Sequence, residues 1–394
     1  MVQAVILAAG RSTRTYPLTL TRPKPLLKAA NKTILEHNLD QLSGLVDEVI
    51  LIVGYKAKMI RQIIGDSYMG LKIKCVIQKE QRGTGHAVMQ AKSLLKDRFL
   101  VMNGDDFFSA KDIKRCIKHD YCVLAKEVPD PQNFGVFVLD GNRVIKLVEK
   151  PKKKISNLAN TGLYVFRKEV FQIKIKESER GEYEITDYVK ALIKDRKVHC
   201  EKVKDFWFPI VYPWSLLEAN AYFVENIKES FKGQIEKNVI IKGKIKVGKG
   251  TRILSGTYIK GNVIIGENCK IGPNCYLRGN TSIGNNCHIG QAVEIKNTII
   301  GNNSNVPHLS YIGDSVIGEN VNLGAGTITA NLRHDNANVK SPVKGDLIDS
   351  GRRKLGAIVA DHVHTGINTS IYPGRKIWPH KMTLPGQVVT RDIK

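Results

Sequence analysis

Hydrophobic positions in this 394-residue chain follow two different rules, which change at about residue 212. Before that point, short runs of Val, Ile and Leu alternate with stretches whose apolar residues recur every three or four places. "QAVILAAG", "EVILIVGY", "IKCVIQ", "FLVMNGD", "CVLAKEV", "VFVLD", "TGLYVF" and "KVHCEKV" have the length and β-branched content of strands. "ILEHNLDQLSGL" and "TGHAVMQAKSLLKD" carry helical spacing between them. Strands alternating with helices predict an α/β, Rossmann-like sheet covered on both faces. "PWSLLEANAYFVENIKESF", opened by Pro213, then predicts an amphipathic connecting helix.

From about residue 236 an aliphatic–Gly pair leads units of six: "VGKGTR", "IGENCK", "IGPNCY", "IGNNCH", "IGQAVE" and "IGNNSN". The pairing returns at Ile312, Ile317 and Leu323. A hexapeptide period predicts a parallel β-helix. Three units close one triangular coil, the aliphatic side chain stacks inward, and glycine permits the corner. A disordered Gly/Asn-rich tail would not keep its aliphatic residues in phase. Cys269, Cys275 and Cys287 each lie four residues after a unit-leading Ile, where a small inward side chain belongs, so they are expected as core rather than metal ligands. The expected organisation is an α/β domain over 1–212, a connector over 213–235 and the β-helix over 236–394.

The rhythm is expected to stutter at His308 and Tyr311, where side chains can project outward, and Asn331 ends the small-residue stretch that follows. Residues 332–356 then lose the beat; polar and basic, they are expected as an exposed loop.

Composition narrows the partners. With 61 basic and 37 acidic residues the formal charge is +24, which favours nucleic acid, an anionic membrane or phosphorylated small molecules. Much of this excess is expected as solvated lysine. No aromatic-and-basic RNA motif is present, which argues against nucleic acid. No stretch approaches the about 20 apolar residues of a membrane helix, and the first apolar run, without basic leader or cleavage site, reads as a strand. Seven cysteines without a CxxC pair fit a reducing cytoplasm.

Candidate chemistry begins right after the first strand, in "LAAGRSTRTYPLTLTRPKPLL". A small-residue turn there brings backbone N–H groups towards phosphate oxygens. Arg14 and Lys24 add positive charge, and Pro17, Pro23 and Pro25 stiffen the loop. With "QKEQRGTGHA", "NGDD", "NFG", "VEKP", "NTG" and "RGEYEITD" following in order, this half resembles the sugar-1-phosphate nucleotidylyltransferases, whose signature is G-x-G-x-R-x-x-P-L-T and then P-K-P. The resemblance implies attack of a sugar-phosphate oxygen on the α-phosphorus of a nucleoside triphosphate, with loss of pyrophosphate. It implies Gly10, Arg14 and Lys24 at the triphosphate, Gln78, Gly83 and Thr84 at the base, Asp105 on Mg²⁺, and Gly135, Glu149 and Asn160 at the sugar. Two residues depart from the pattern. Ser12 replaces the second glycine, and "FWFPIVYPW" puts Pro209 and Val211 where the family has the Asp and Gly of W-x-D-x-G. Asp205 or Asp106 is then the candidate second metal ligand.

"YLRGNTSIG", "VEIKNT", "HLSYIGD" and "NLGAGTITAN" resemble the acetyltransferase half of the bifunctional glucosamine-1-phosphate acetyltransferase/N-acetylglucosamine-1-phosphate uridylyltransferase family. That resemblance implies a left-handed β-helix and homotrimers, or multiples of them, that share each acetyl site through a crossing loop. It implies His308 as general base, since imidazole titrates near neutrality. Tyr311 and Asn331 would orient the amino sugar, Arg278 and Lys296 would pair with its phosphate, and the Ala325 backbone would meet acetyl-CoA. Ala337 stands where that family often has Lys, with Lys340 nearby. The function implied is synthesis of UDP-N-acetylglucosamine from glucosamine-1-phosphate, acetyl-CoA and UTP (or dTTP). Two alternatives stay open: a glucose-1-phosphate nucleotidylyltransferase with a purely structural β-helix, and a non-catalytic subunit that binds sugar nucleotides.

Overall fold

The computed structural model describes residues 2–179 and 181–394. The chain divides into two units. One holds Met1–Arg11, Pro23–Leu26 and Ile34–Pro209; the other holds Ser12–Arg22, Leu27–Thr33 and Ile210–Lys394.

The first unit is built on a ten-stranded mixed sheet. Gln3–Ala8 pairs in parallel with Glu48–Val53 on one side and Arg98–Asn103 on the other, so the strand order reverses about it. Leu71–Ile77 extends the parallel part, while Leu158–Arg167 runs antiparallel beside Arg98–Asn103. The first strand is apolar on consecutive residues because both faces are covered. Ile6 joins one buried cluster with Leu51 and Met102; its neighbour Val5 joins the other with Ile50 and Val101. The helix expected over "TGHAVMQAKSLLKD" is regular only at Thr84–Met89. Beyond it the chain tightens to i→i+3 bonds, as from Ala91 N to Val88 O and Lys92 N to Met89 O. Arg143–Glu149 is a strand the hydrophobic pattern did not announce, since only Val144 and Leu147 are buried there.

The second unit contains a parallel β-helix whose three faces are separate parallel sheets. Ile265 pairs with Ile283 on the first face, Ile271 with Ile289 on the second, and Leu277 with Ile295 on the third. Each of these coils takes eighteen residues. The next ones take seventeen, pairing Ile283 with Ile300, Ile289 with Val306 and Ile295 with Ile312. The shortened units are therefore 295–299 and 312–316. The unit containing His308 and Tyr311, 306–311, has its full six residues, so the stutter lies beside it rather than within it.

The stacked aliphatic residues form one buried column, with Cys269, Cys275 and Cys287 inside it. Each buried Ile stabilises the stack by roughly 1.5–3 kcal/mol. After Asn331 the chain forms a hairpin, Lys340–Val343 against Asp346–Asp349, that buries Ser341 and Val343. The coil then resumes at Ile358, paired with Val316.

Ser12–Arg22 is tied into this unit at its far end. Arg22 reaches Asp361 at 2.7 Å and Glu319 at 3.0 Å. The helix Ser215–Glu225 contributes Asn220, whose Oδ1 accepts from Ala30 N and from Ser282 Oγ, and whose Nδ2 donates to Asn280 O.

Candidate active sites

In the first unit the reversal of strand order falls between Gln3–Ala8 and Arg98–Asn103, and clefts at the carboxyl ends of such strands are where open α/β sheets bind ligands. Gly10 and Asp105 follow those two strands directly. A Cβ on Gly10 would meet nothing within 4 Å, so open space lies above this exposed backbone. Lys24, only 6% exposed, points its Nζ to 2.7 Å from Asp105 Oδ2. The next residue opens the short strand Asp106–Phe108, which pairs with Trp207–Pro209 and sets Pro209 opposite Asp106. The departure from W-x-D-x-G therefore lies beside the acidic pair. Asp205 is committed elsewhere: its Oδ2 accepts from Ser109 Oγ at 2.7 Å and faces Lys111 Nζ at 3.5 Å, at the start of helix Ala110–Cys116.

Gln78 is buried and donates from Nε2 to Gly83 O at 3.2 Å. Gly83 has φ +97°, and a Cβ there would come within 2.5 Å of Tyr183 O, so only glycine fits. Gly85 N donates to the same carbonyl at 2.7 Å, and Thr84 Oγ1 accepts from Ile185 N at 3.0 Å. The turn is thus strapped to residues 183–185. Gly135 lies in register with Glu149, and a Cβ on it would approach Glu149 Oε2 to 2.8 Å and Asn160 Cβ to 3.8 Å, so these three residues adjoin. Asn160 donates to Tyr164 Oη at 2.6 Å and accepts from Gly162 N at 3.0 Å. Gly162, at φ +81°, leaves its space to the Asn103 side chain. "NTG" and "NGDD" carry these two residues, but nothing in their spacing announces that they touch.

Arg14 and Ser12 belong to the second unit. Ser12 stands in the left-handed region, at φ 52° and ψ 57°, where the related signature has glycine. Its carbonyl accepts from Thr15 Oγ1 at 2.7 Å and Thr19 Oγ1 at 3.0 Å. Those bonds hold a conformation that costs a residue with Cβ about 1–2 kcal/mol.

On the third face of the β-helix, Arg278, Lys296 and Gly313 follow one another in register. Tyr311 and Asn331 join them: Asn331 Nδ2 lies 3.0 Å from Tyr311 Oη and 2.6 Å from Asp314 Oδ2. Asp314 was not foreseen from the sequence. It is 2% exposed and also takes Lys296 Nζ at 2.8 Å and Asn297 Nδ2 at 3.1 Å. Both Asn297 (φ 44°) and Asp314 (φ 50°) sit in left-handed turns of the five-residue units. Arg278 Nε is held by Glu294 at 2.6 Å. Burial, with the Asp314 and Glu294 charges, pushes the Tyr311 phenol up despite the Asn331 hydrogen bond, so it stays a neutral O–H. A Cβ at Gly313 would lie 2.5 Å from Tyr311 Oη and 2.8 Å from Asn331 Nδ2. Glycine there gives the phenol and the amide their place.

His308 is not on that face. It ends the second-face strand Asn305–His308, exposed, at the edge where the chain turns towards Tyr311. Ala325 occupies the same edge one coil on, and Gly326 N donates to His308 O at 3.4 Å. Base and coenzyme candidates thus share an edge, and the phosphate candidates share the adjoining face.

A doubly wound nucleotide-type cleft and a polar cluster on a hexapeptide prism define a class, a nucleotidyl transferase joined to a β-helical transferase. Comparison with known families agrees. The Nucleotidyl transferase family model matches residues 3–226, and a model described as the GMPPB C-terminal domain matches residues 259–390. The chain is 43% identical over 396 residues to "Bifunctional protein GlmU" of Methanocaldococcus jannaschii, covering all of this chain and 96% of that protein. It is 41% identical over 403 residues to the "Bifunctional sugar-1-phosphate nucleotidylyltransferase/acetyltransferase" of Sulfurisphaera tokodaii, covering all of this chain and 98% of that one. A crystal structure from Bacillus anthracis, described as a candidate glucose-1-phosphate thymidylyltransferase with sucrose, superposes with a TM-score of 0.54 at 27% identity, over 59% of this chain and 98% of that one. The chain belongs to the bifunctional GlmU family, enzymes that combine nucleotidyl and acetyl transfer. No helix among the described residues is long and apolar enough to cross a membrane.

Proposed function

We propose that the chain makes UDP-N-acetylglucosamine in two steps: acetyl-CoA-dependent N-acetylation of glucosamine-1-phosphate, then uridylyl transfer from UTP with release of pyrophosphate. The observation that carries the reading is the network of Lys296, Asp314, Asn331 and Tyr311 beside Arg278. A prism that only held subunits together would have no use for it.

In the acetyl site, Arg278 and Lys296 would clamp the sugar phosphate by charge-assisted hydrogen bonds. Tyr311 O–H and the Asn331 amide would fix the sugar. His308 takes a proton from the substrate ammonium; the free amine attacks the thioester carbonyl, and as the C–S bond breaks the second amine proton passes to the departing sulfur, so that coenzyme A leaves as the thiol. Ala325 would give its backbone to the coenzyme at the same edge. A neighbouring subunit of a homotrimer would complete the site.

In the nucleotidyl site, Lys24 and Arg14 would neutralise the triphosphate, Gln78, Gly83 and Thr84 would bound the base, and Gly135, Glu149 and Asn160 the sugar. This is catalysis by positioning and charge. Asp105 is the side chain that fits Mg²⁺: it is partly exposed and needs only to exchange its Lys24 contact. Mg²⁺ commonly takes one or two carboxylates plus substrate phosphates, and Asp106 is the second candidate, opposite Pro209. Bound there, the ion would offset charge on the triphosphate. We assign residues 1–212 to this activity, 213–235 to the connector, 236–394 to acetylation, and the whole to the cytoplasm.

Incubating the protein with glucosamine-1-phosphate, acetyl-CoA, UTP and Mg²⁺ should give UDP-N-acetylglucosamine by mass. His308→Ala should lose acetylation and keep uridylyl transfer to supplied N-acetylglucosamine-1-phosphate; loss of both, or of neither, refutes the assignment. Pro209 favours one competing reading, a subunit that binds nucleotide without turnover. Pyrophosphate release excludes it.

A further inference from the structure

At the far end of the β-helix the second unit bears a half-open cavity of about 600 Å³, large enough for a nucleotide. Its wall is unusually cationic. Arg14, Lys344, Arg375, Arg391 and Lys394 line it, while Asp392 is the one acidic side chain in its wall among the described residues. None of those five cations has a carboxylate within 4 Å among the described residues. Arg375 is pre-positioned by backbone: Nε donates to Pro373 O at 3.2 Å, and the guanidinium reaches Lys340 O at 3.0 Å. Lys376, also in the wall, is buried and spends its ammonium on Pro342 O. Asp392 compensates poorly. Its Oδ1 accepts from Lys376 N at 3.0 Å, its buried Oδ2 has no partner among the described residues, and burial raises its carboxyl. Trp378 supplies a ring, with Lys394 Nζ 5.5 Å from its centroid.

Cations converging on one cleft without carboxylate partners create a positive potential there that an anionic ligand offsets. We propose that this cavity is a further binding site, sharing only Arg14 with the reaction sites proposed above, for a polyphosphate ester or free polyphosphate whose negative charges meet Arg375, Arg391 and Arg14. Nothing in the nucleotidyl or acetyl reactions proposed above uses Arg375, Arg391 or Trp378. Arg14 is the exception, since the proposed function also places it on the triphosphate. On that reading an occupant of the cavity draws Arg14 away and slows uridylyl transfer.

The test uses the full chain and two probes, UDP and inorganic pyrophosphate, titrated calorimetrically without Mg²⁺ or sugar phosphate. Wild type should bind UDP or pyrophosphate at one site more per chain than the double variant Arg375→Ser/Arg391→Ser, or bind at least about tenfold more tightly at that site, which is about 1.4 kcal/mol. UDP binding that survives saturating pyrophosphate and is lost in Trp378→Leu would identify the ester; equal binding of both probes would identify the phosphates alone. The double variant should keep its uridylyl transfer rate without UDP, and its inhibition by UDP should weaken about tenfold. Because Arg391 is exposed, Arg391→Ser alone serves if the double variant melts early. Identical stoichiometry and affinity in wild type and both variants overturns the proposal. Loss of uridylyl transfer in wild type would instead strike the proposed function and leave these titrations interpretable.

Discussion

Single residues decide whether the cluster proposed as the acetyl site exists at all. Gly313 is the clearest. The hexapeptide pattern offers it merely as the glycine of another Ile–Gly pair, yet its hydrogen occupies the space that a methyl would take from Tyr311 and Asn331. Gly313→Ala should displace both side chains by tenths of an ångström and lower the rate of acetyl-CoA consumption about tenfold, since small misplacements of positioning groups are expensive. Pyrophosphate release from UTP should not change. An unaltered acetylation rate would mean that the Tyr311–Asn331 contact is dispensable. Asp314 shows the limit of reading by type. An acid one place after an Ile–Gly pair looks like a solvated corner; only the fold reveals it 2% exposed under Lys296, Asn297 and Asn331. Ser12 is the reverse case, a departure visible in the sequence whose consequence, a left-handed serine held by Thr15 and Thr19, needed coordinates.

At the level of elements, the shortened units and the anchored loop matter most. Removing one residue from 295–299 and from 312–316 tightens two successive corners, and those corners place Lys296 and Asp314 within reach of one another. The period was legible; the consequence of losing a residue from it was not. The loop Ser12–Arg22 ends on an ion cluster, Arg22 and Lys28 with Glu319 and Asp361. Burial pushes the Glu319 carboxyl up, but hydrogen bonding and charge from Arg22, with Lys28, outweigh it and bring it from 4.5 to about 2. A carboxyl depressed in the folded state stabilises fully above its unfolded value, and that stability, up to about 3 kcal/mol, is lost as pH falls from about 4.5 through 2. Thermal melting at pH 6, 4 and 3 should therefore show a steeper fall for wild type than for Glu319→Gln, which should begin less stable at pH 6. Parallel curves would remove the cluster from the account.

The whole molecule is a strongly basic protein handling anions. A formal charge of +24 creates an attractive field for nucleoside triphosphates, sugar phosphates and coenzyme A, screened within about 10 Å at 0.1 M salt. Raising salt from about 50 to about 300 mM should raise the KM for UTP and for glucosamine-1-phosphate several-fold while kcat changes little. A KM indifferent to salt would assign the charge to solubility alone. The predicted helix over 84–97 and the unannounced strand Arg143–Glu149 belong to this scale too. The first keeps regular α bonding only over Thr84–Met89 and then tightens, and the second is too exposed for its apolar pattern to show.

Two period rules, one of strands between helices and one of six-residue units, were enough by themselves to specify the architecture, because each depends only on which positions must be buried. The ordered motifs likewise nominated the candidate residues of both sites, through their resemblance to a known family. Only the tertiary structure decided which of those residues meet. Lys24 and Asp105 are 81 positions apart in the chain yet 2.7 Å apart in space. His308 went to an edge, whereas Tyr311 went to a face, and Pro209 came to lie across from Asp106. Register and corner length set such contacts, and no single segment contains the information for either.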